Sequence, residues 1–457
     1  MFFRNVLAVA AALAPLASAR DAFAHYMAQS MSQADANLDV ADAQYAGISA
    51  FAINLNSNDV GQGWAKKSIE YLCKASEDSQ AAGKYFAIFF SMDIWNSNNA
   101  DAFKPLLNTY MNRGCHYKYD HKYFLSTFNA GSTTNTYWSN FFSTLSKKRN
   151  QIYFVPNFDN TNGYYSSDAS WWSYWGKTVD GLFTWETVWP AAAGEVTIDR
   201  DNKVAQGAAD HSKSYMVGLS SLQYKHWAKP DGTHEHRYRR GLDTLPKRME
   251  QILDMSPKAE FAETITWNDA GESHYIGTLH KQGVGAFWGY ANNDDYRHTA
   301  WQPLVKSFNV AFKAGVPASG MRPVNGDDIT GALWHRAFLK GSSCASDPWG
   351  KPDNDGWAKD TVNWAVVMPD NLGGGARVQV YSGGKQIYSG PVQPGLNYGS
   401  AGNMVAGAQY VEVVRDVNGK TEQLYSKTSH VAVTADPKDN ICNYNYVVDI
   451  LLKGGPN

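Results

Sequence analysis

The sequence predicts an α/β chain. A (β/α)8 TIM-like barrel spans residues 20–320, and a C-terminal antiparallel β-sandwich spans residues 321–457. Three observations lead there. Eight short apolar runs recur before residue 320, with helical patterns between them. No G-x-G-x-x-G follows any of these runs, so a doubly wound open sheet, the alternative, lacks its usual support. A breaker-rich stretch from Gly315 to Pro323 then ends the helical periodicity.

Residues 1–19 read as a secretory signal. Arg4 gives a basic start, an apolar run reaches Leu16, and Ala17, Ser18 and Ala19 form a small-residue cleavage site. Secretion to the extracellular space or cell wall is therefore expected. The barrel strands are expected at 23–27, 49–55, 85–92, 123–128, 152–158, 181–185, 215–220 and 261–267. Helices are expected at 64–82, 102–113, 138–149 and 245–255, where apolar residues recur at helical spacing. Beyond the breaker stretch, strands are expected at 332–338, 363–368, 377–381, 385–388, 410–414, 422–425, 430–433 and 444–451. Turn signals such as Ser382-Gly383-Gly384 separate them.

Composition narrows the function classes. The 457 residues are 44% hydrophobic and 18% charged, which excludes a disordered or coiled-coil chain. The net charge of -2 gives no electrostatic reason to bind nucleic acid or an anionic membrane. No run after the signal is long enough to span a bilayer. Aromatic residues make up 14%, with 16 Trp and 26 Tyr, which suits flat contact with an uncharged, hydroxyl-rich polymer. The chain is read as a monomer. Four cysteines and no C-x-x-C argue for two disulfides in an oxidising compartment and against a zinc site. Three connectivities are possible. Cys73–Cys115 with Cys344–Cys442 is favoured, because each pair then falls within one region.

In a barrel, chemistry sits on the loops after the strands. Those ends carry His25, Asn54, Asp93, Trp95, Asn157, Trp185, Glu186, Trp189, Tyr224, Trp227, Trp267 and His274. The rim is rich in Trp, Asn and carboxylates and poor in Lys and Arg, as a cleft for a neutral sugar would be. Asp269 and Glu272 stand three apart after strand eight. Two carboxyl groups are what glycoside hydrolysis needs, one to protonate the leaving oxygen and one to activate water or attack. The same spacing also fits a capping box at a helix start. Asp93 is a third candidate acid, and Glu186 a fourth, placed at a subsite. His234-Glu235-His236 lacks H-E-x-x-H and precedes several arginines, so it reads as a solvated loop without metal. G-x-S-x-G and the P-loop motif are absent.

Several segments resemble the fungal α-1,3-glucanases (mutanases) of glycoside hydrolase family 71. They begin with Ala24-His25-Tyr26-Met27, the stretch from Gly47 to Asn54, and Ser91-Met92-Asp93. Residues 154–158 and 181–185 follow in order, and the most specific stretch runs from Trp267 to Gly277. The resemblance implies a secreted endo-hydrolase of α-1,3-glucan with this two-part layout, no metal or organic cofactor, and inversion of anomeric configuration. It maps the essential acids onto Asp269 and Glu272, with Asp93 as a further carboxylate. Glu186 departs from the Asp often found there, which bears on local subsite contacts. The resulting expectation is Glu272 as acid and Asp269 as base, an order that geometry and pKa decide. An inverting pair stands roughly 6.5–9.5 Å apart.

Overall fold

The computed structural model describes residues 20–454, apart from Asn96, Pro230, Asn325, Asp327, Gly373 and Gly374. The expected signal segment lies outside the described residues. The first region holds strands β1 (Asp21–Met27), β2 (Ala50–Asn56), β3 (Ala87–Asp93), β4 (Lys118–Tyr119), β5 (Lys122–Phe128) and β6 (Ile152–Pro156). Then come β7 (Gly181–Phe183), β8 (Ser214–Leu219), β9 (Gln223–Ala228), β10 (His234–Arg239) and β11 (Phe261–Thr264). Strands pair in the order β5-β3-β2-β1-β11-β8-β7, all parallel, with β6 added in parallel to β5. A lone parallel bridge between Asn157 and Phe183 brings the ends of β6 and β7 together. The sheet is therefore strongly curled, and each of the eight expected runs supplies one of its strands.

Burial on both faces explains why these strands read as continuous apolar runs. Phe23, Phe89, Phe124, Phe183, Met216 and Phe261 fill the inside of the curl. Ala24, Tyr26, Phe51, Ile53, Ile88 and Phe90 face the helices in a second cluster. Alternation along each strand sorts the two sets. Small residues at Ala50, Ala52 and Ala87 accompany the large inward rings, and Phe23 meets Phe89 edge-on at 5.0 Å. Each buried Phe contributes roughly 1.5–3 kcal/mol.

The helices follow local capping rules. Gln33–Tyr45 starts at a capping box made by Ser32 and Asp35. Gly63–Ala81 matches its expectation closely. The helix expected at 138–149 instead spans Asn135–Ser143, because the Thr134 hydroxyl caps it early by accepting from the Tyr137 N–H. It stops early because Ser143 and Thr144 hydroxyls bond back to the Asn140 and Phe141 carbonyls at 2.7 and 2.9 Å.

The second region forms two antiparallel sheets. Its strands are β12 (Thr330–Arg336), β13 (Thr361–Met368), β14 (Arg377–Ser382), β15 (Lys385–Pro391) and β16 (Gly395–Gly402). They continue with β17 (Gln409–Val417), β18 (Lys420–Thr428), β19 (Tyr446–Ile450) and β20 (Leu452–Lys453). The orders are β16-β13-β12-β19 and β15-β14-β17-β18-β20. Leu333, Trp364, Val366, Val378, Val411 and Val413 form the core they share. The strand expected at 430–433 is reduced to isolated bridges, such as Gly407 to Val433. Strand β16 has no apolar alternation to announce it, yet it pairs with β13 along its whole length.

Both favoured disulfides are present, Cys73–Cys115 and Cys344–Cys442. The two regions share one core cluster. Trp334, Phe338, Tyr444 and Tyr446 belong to the same cluster as the helix-facing residues of the curled sheet. The Trp334 indole N–H donates to the Leu242 carbonyl at 2.6 Å, and the Tyr238 and Tyr446 hydroxyls meet at 2.9 Å. Among the described residues no helix is long and apolar enough to cross a membrane.

Candidate active site

The segment after β11 leaves the sheet and is pinned from several directions. The Trp267 N–H donates to the His25 carbonyl at 2.7 Å. Its indole N–H reaches Asp39 in the first helix at 3.1 Å. The Asn268 side chain brackets Met27, accepting from its N–H at 2.8 Å and donating to its carbonyl at 3.0 Å. The Thr266 hydroxyl accepts the Asp269 N–H at 2.8 Å, and Asp269 Oδ1 accepts the Glu272 N–H at 2.9 Å. That last bond is half of a capping box. The other half is missing, and a turn rather than a helix follows. The Glu272 carboxylate points elsewhere.

Its partners come from the β9–β10 hairpin and from His274. Lys225 Nζ lies 2.6 Å from Glu272 Oε1, His274 Nε2 lies 2.9 Å from Oε2, and the Gln223 amide also donates to Oε2. Gln223 and Lys225 are two apart on a strand, so they share a face. Burial raises the Glu272 pKa, but the Lys225 charge and the His274 contact outweigh it and hold the group well below the usual carboxylate range. Asp269 behaves oppositely. Burial and the neighbouring Glu272 charge push its pKa up. One carboxylate oxygen of Asp269 and one of Glu272 lie within 4.8 Å of each other. Asp93, at the end of β3, is pushed up to about 6, chiefly by burial, and it accepts the Trp95 N–H at 2.9 Å.

These three carboxyls line one cavity of about 780 Å³. Trp95, Phe128, Trp185, Trp227 and Phe287 add rings, and Gln29, Asn54, Asn56 and Asn268 add neutral hydrogen-bonding groups. Trp95 and Trp227 are about half exposed. Lys225, Lys229 and Glu235 complete one wall, so the cleft is less poor in cations than its strand ends suggest. An adjoining cavity of about 380 Å³ shares Trp95, Lys225 and Glu235 and is walled by Trp349, Lys351 and Asp353 of the second region.

Other expected site residues take supporting places. His25 is buried, with Nδ1 2.7 Å from Glu263 and its ring edge-on to Trp185 at 4.7 Å. The Asn157 amide donates to the Phe183 carbonyl at 3.3 Å and helps hold the seam between β6 and β7. Trp267 is fully buried, and Trp189 lies beneath the cleft with its ring 5.2 Å from His274. Tyr224 turns away from the cleft, and its hydroxyl donates to the Cys442 carbonyl at 2.8 Å. Glu186 is half exposed and pairs with Arg239 at 2.7 Å. His234, Glu235 and His236 form part of a strand rather than a solvated loop, and His236 is 95% buried, being 5% exposed. Two residues on which Glu272 depends, Gln223 and Lys225, were not among the expected site residues. Their alternation on a short polar strand was the available signal.

The chain is similar to two proteins of Schizosaccharomyces pombe. One is the glucan endo-1,3-alpha-glucosidase agn1, 27% identical over 79% of this chain and 78% of that one. The other is an ascus wall endo-1,3-alpha-glucanase, 23% identical over 74% and 77%. It is also similar to a mutanase of Penicillium rubens, 26% identical over 95% of this chain and 89% of that one. Among solved structures, it is similar to the GH99 endo-alpha-mannosidase from Bacteroides thetaiotaomicron, with a TM-score of 0.48 and 11% identity over 64% of this chain and 98% of that one. The model of glycosyl hydrolase family 71 matches residues 18–455, a span that takes in the carboxyl-lined cleft and both regions, and the chain belongs to that family.

Proposed function

We propose that this chain is a secreted hydrolase of α-1,3-glucosidic bonds in α-1,3-glucan. In this reading the first region is a closed (β/α)8 barrel to about residue 320, and the second is a β-sandwich that supports it. The observation that carries the reading is the coupled pair Asp269 and Glu272 in a ring-lined, hydroxyl-matching cleft, in a chain whose relatives are named for this activity. The signal-like segment 1–19 supports secretion.

The charge states favour an order opposite to the one expected from sequence. Asp269 is the carboxyl of the pair whose pKa is raised, which suits it to hold the proton and donate it to the leaving oxygen as the glycosidic C–O bond breaks. Glu272 is held ionised by Lys225 and His274, which makes it a poor proton acceptor. Its fixed charge favours the protonated form of Asp269 and stabilises positive charge developing on the sugar ring. Asp93, at about 6, is the remaining cleft carboxyl with a pKa suited to take the proton from water. One oxygen of Asp269 also lies within 4.8 Å of one oxygen of Glu272, closer than the roughly 6.5–9.5 Å that separates an inverting pair.

The test is release of reducing ends from insoluble α-1,3-glucan by the mature protein, with the anomer of the first product read by NMR. Release from α-1,3-glucan and not β-1,3-glucan, with inverted product, supports the reading. Binding without release would make the chain a carbohydrate-binding protein. A retained anomer would remove the water-activating role of Asp93.

A further inference from the structure

The β9–β10 hairpin has two faces. One carries Gln223 and Lys225 to Glu272. The other carries Tyr224, His226 and His236 against the second region. His226 and His236 are directly opposed across the hairpin. Asp347, from the second region, places both carboxylate oxygens 3.1 Å from His226 Nε2. His226, His236 and Asp347 are 7%, 5% and 6% exposed, so this is a buried cluster. One ligand-competent atom of each lies within 4.8 Å of the other two.

A second observation marks the cluster as more than a His–Asp hydrogen bond. The single proton of the Tyr224 hydroxyl goes to the Cys442 carbonyl at 2.8 Å. Its oxygen is then left to accept from His236 Nε2, 3.3 Å away. That fixes the His236 tautomer with its proton on Nε2, so Nδ1 holds a bare lone pair. Nδ1 is buried and has no hydrogen-bond partner among the described residues. A second-sphere donor that sets the tautomer and frees the other nitrogen is how proteins prepare imidazole as a metal ligand. Tyr290 and Trp349 pack on the His226 ring at 4.2 and 4.3 Å and restrict its rotation. His236 also borders the cavity of about 380 Å³, which gives a path for entry.

We propose that His226, His236 and Asp347 bind one divalent transition-metal ion of the zinc class, joining the hairpin to the second region. Two imidazoles and one carboxylate suit such an ion, with water in the fourth position. On binding, the His226 proton moves from Nε2 to Nδ1, which keeps the imidazole neutral and frees the Nε2 lone pair for the metal, while Asp347 stays anionic. The role is positional. A hairpin clamped on this face holds Lys225 against Glu272 on the other.

The test is titration of the chelator-treated full chain with Co²⁺, followed by displacement with Zn²⁺. The expected result is one Co²⁺ per chain, with visible d–d absorption that Zn²⁺ abolishes. His236→Ala and Asp347→Asn should lose the absorption while keeping far-UV dichroism and cooperative unfolding. Should His236→Ala not fold, His236→Gln keeps a hydrogen-bonding side chain and reads out the same loss. Glu272→Gln should retain the absorption, because Asp269, Glu272 and His274 form the competing cluster. Absence of stoichiometric Co²⁺ binding by the wild type overturns the proposal. So does absorption that survives His236→Ala and disappears in Glu272→Gln.

Discussion

Lys225 Nζ sits 2.6 Å from Glu272 Oε1, and that contact, with His274, holds the Glu272 pKa below the usual carboxylate range. Lys225 is also 2.9 Å from Glu235, so two carboxylates share one partly buried ammonium. Burial works against the Lys225 charge, yet Glu272 and Glu235 keep its pKa raised. Burial and the neighbouring Glu272 charge in turn raise the Asp269 pKa.

Lys225→Met should uncouple this arrangement. The Glu272 pKa should rise until Glu272 competes with Asp269 for the proton, and kcat should fall. Losing a hydrogen bond between charged groups should lower stability by about 1.5–3 kcal/mol. Denaturant melts and initial rates check both effects. Unchanged kcat would show that the ammonium does not set the charge state of the site.

Asp269→Asn and Asp93→Asn should each fold normally and lose ~10²–10⁴-fold in kcat. The two should differ in pH dependence. Asp93 must be ionised to accept a proton, so wild-type rate should fall as pH drops through about 6. Asp93→Asn should lose that acid limb. If either variant keeps more than roughly a tenth of the rate, its assigned role is wrong.

Trp95→Ala and Trp227→Ala should weaken substrate binding and leave the chemistry intact. Both rings line the cleft and are about half exposed. A stacked ring contributes about 0.5–1.5 kcal/mol beyond its area, so KM should rise roughly two- to tenfold per ring with kcat little changed. A fall in kcat at constant KM would place the ring at the reacting sugar instead.

Much of this was legible in the sequence, for a physical reason. Strands buried on both faces leave long apolar runs, and each of the eight announced itself that way. Asp269 and Glu272 were visible because they end such a run. The β9–β10 hairpin was not, because its residues alternate between two polar environments, a carboxylate cleft and a histidine cluster. Neither face gives an apolar signal, so periodicity does not single out Lys225, and His236 reads as part of a loop. Tyr224 and Trp189 were expected to touch substrate from position alone. Strand direction turns Tyr224 toward Cys442, and burial puts Trp189 under His274. The end of the helix Asn135–Ser143 was misplaced because hydroxyl competition for carbonyls is invisible to apolar periodicity.

The join between the regions should be structural. Trp334 is 1% exposed and lies in the shared core. Trp334→Ala should cost about 3–5 kcal/mol, seen as a large drop in the unfolding midpoint. Truncation after Gly320 would expose this apolar face, and the remaining chain should aggregate. A soluble truncated chain with full activity on insoluble glucan would contradict a supporting role for residues 321–457.

The charge coupling between Glu272 and Asp269 is tested most directly by the pH profile of kcat/KM on soluble α-1,3-gluco-oligosaccharides, for wild type and Glu272→Gln. Asp269 must be protonated to act, so the rate is present below its raised pKa and lost as pH rises through it. Removing the Glu272 charge lowers that pKa, so the alkaline limb of Glu272→Gln should move to lower pH as the rate falls. An alkaline limb that stays in place in Glu272→Gln, or a wild-type profile flat from about pH 4 to about pH 8, would contradict a protonated Asp269 held beside an ionised Glu272.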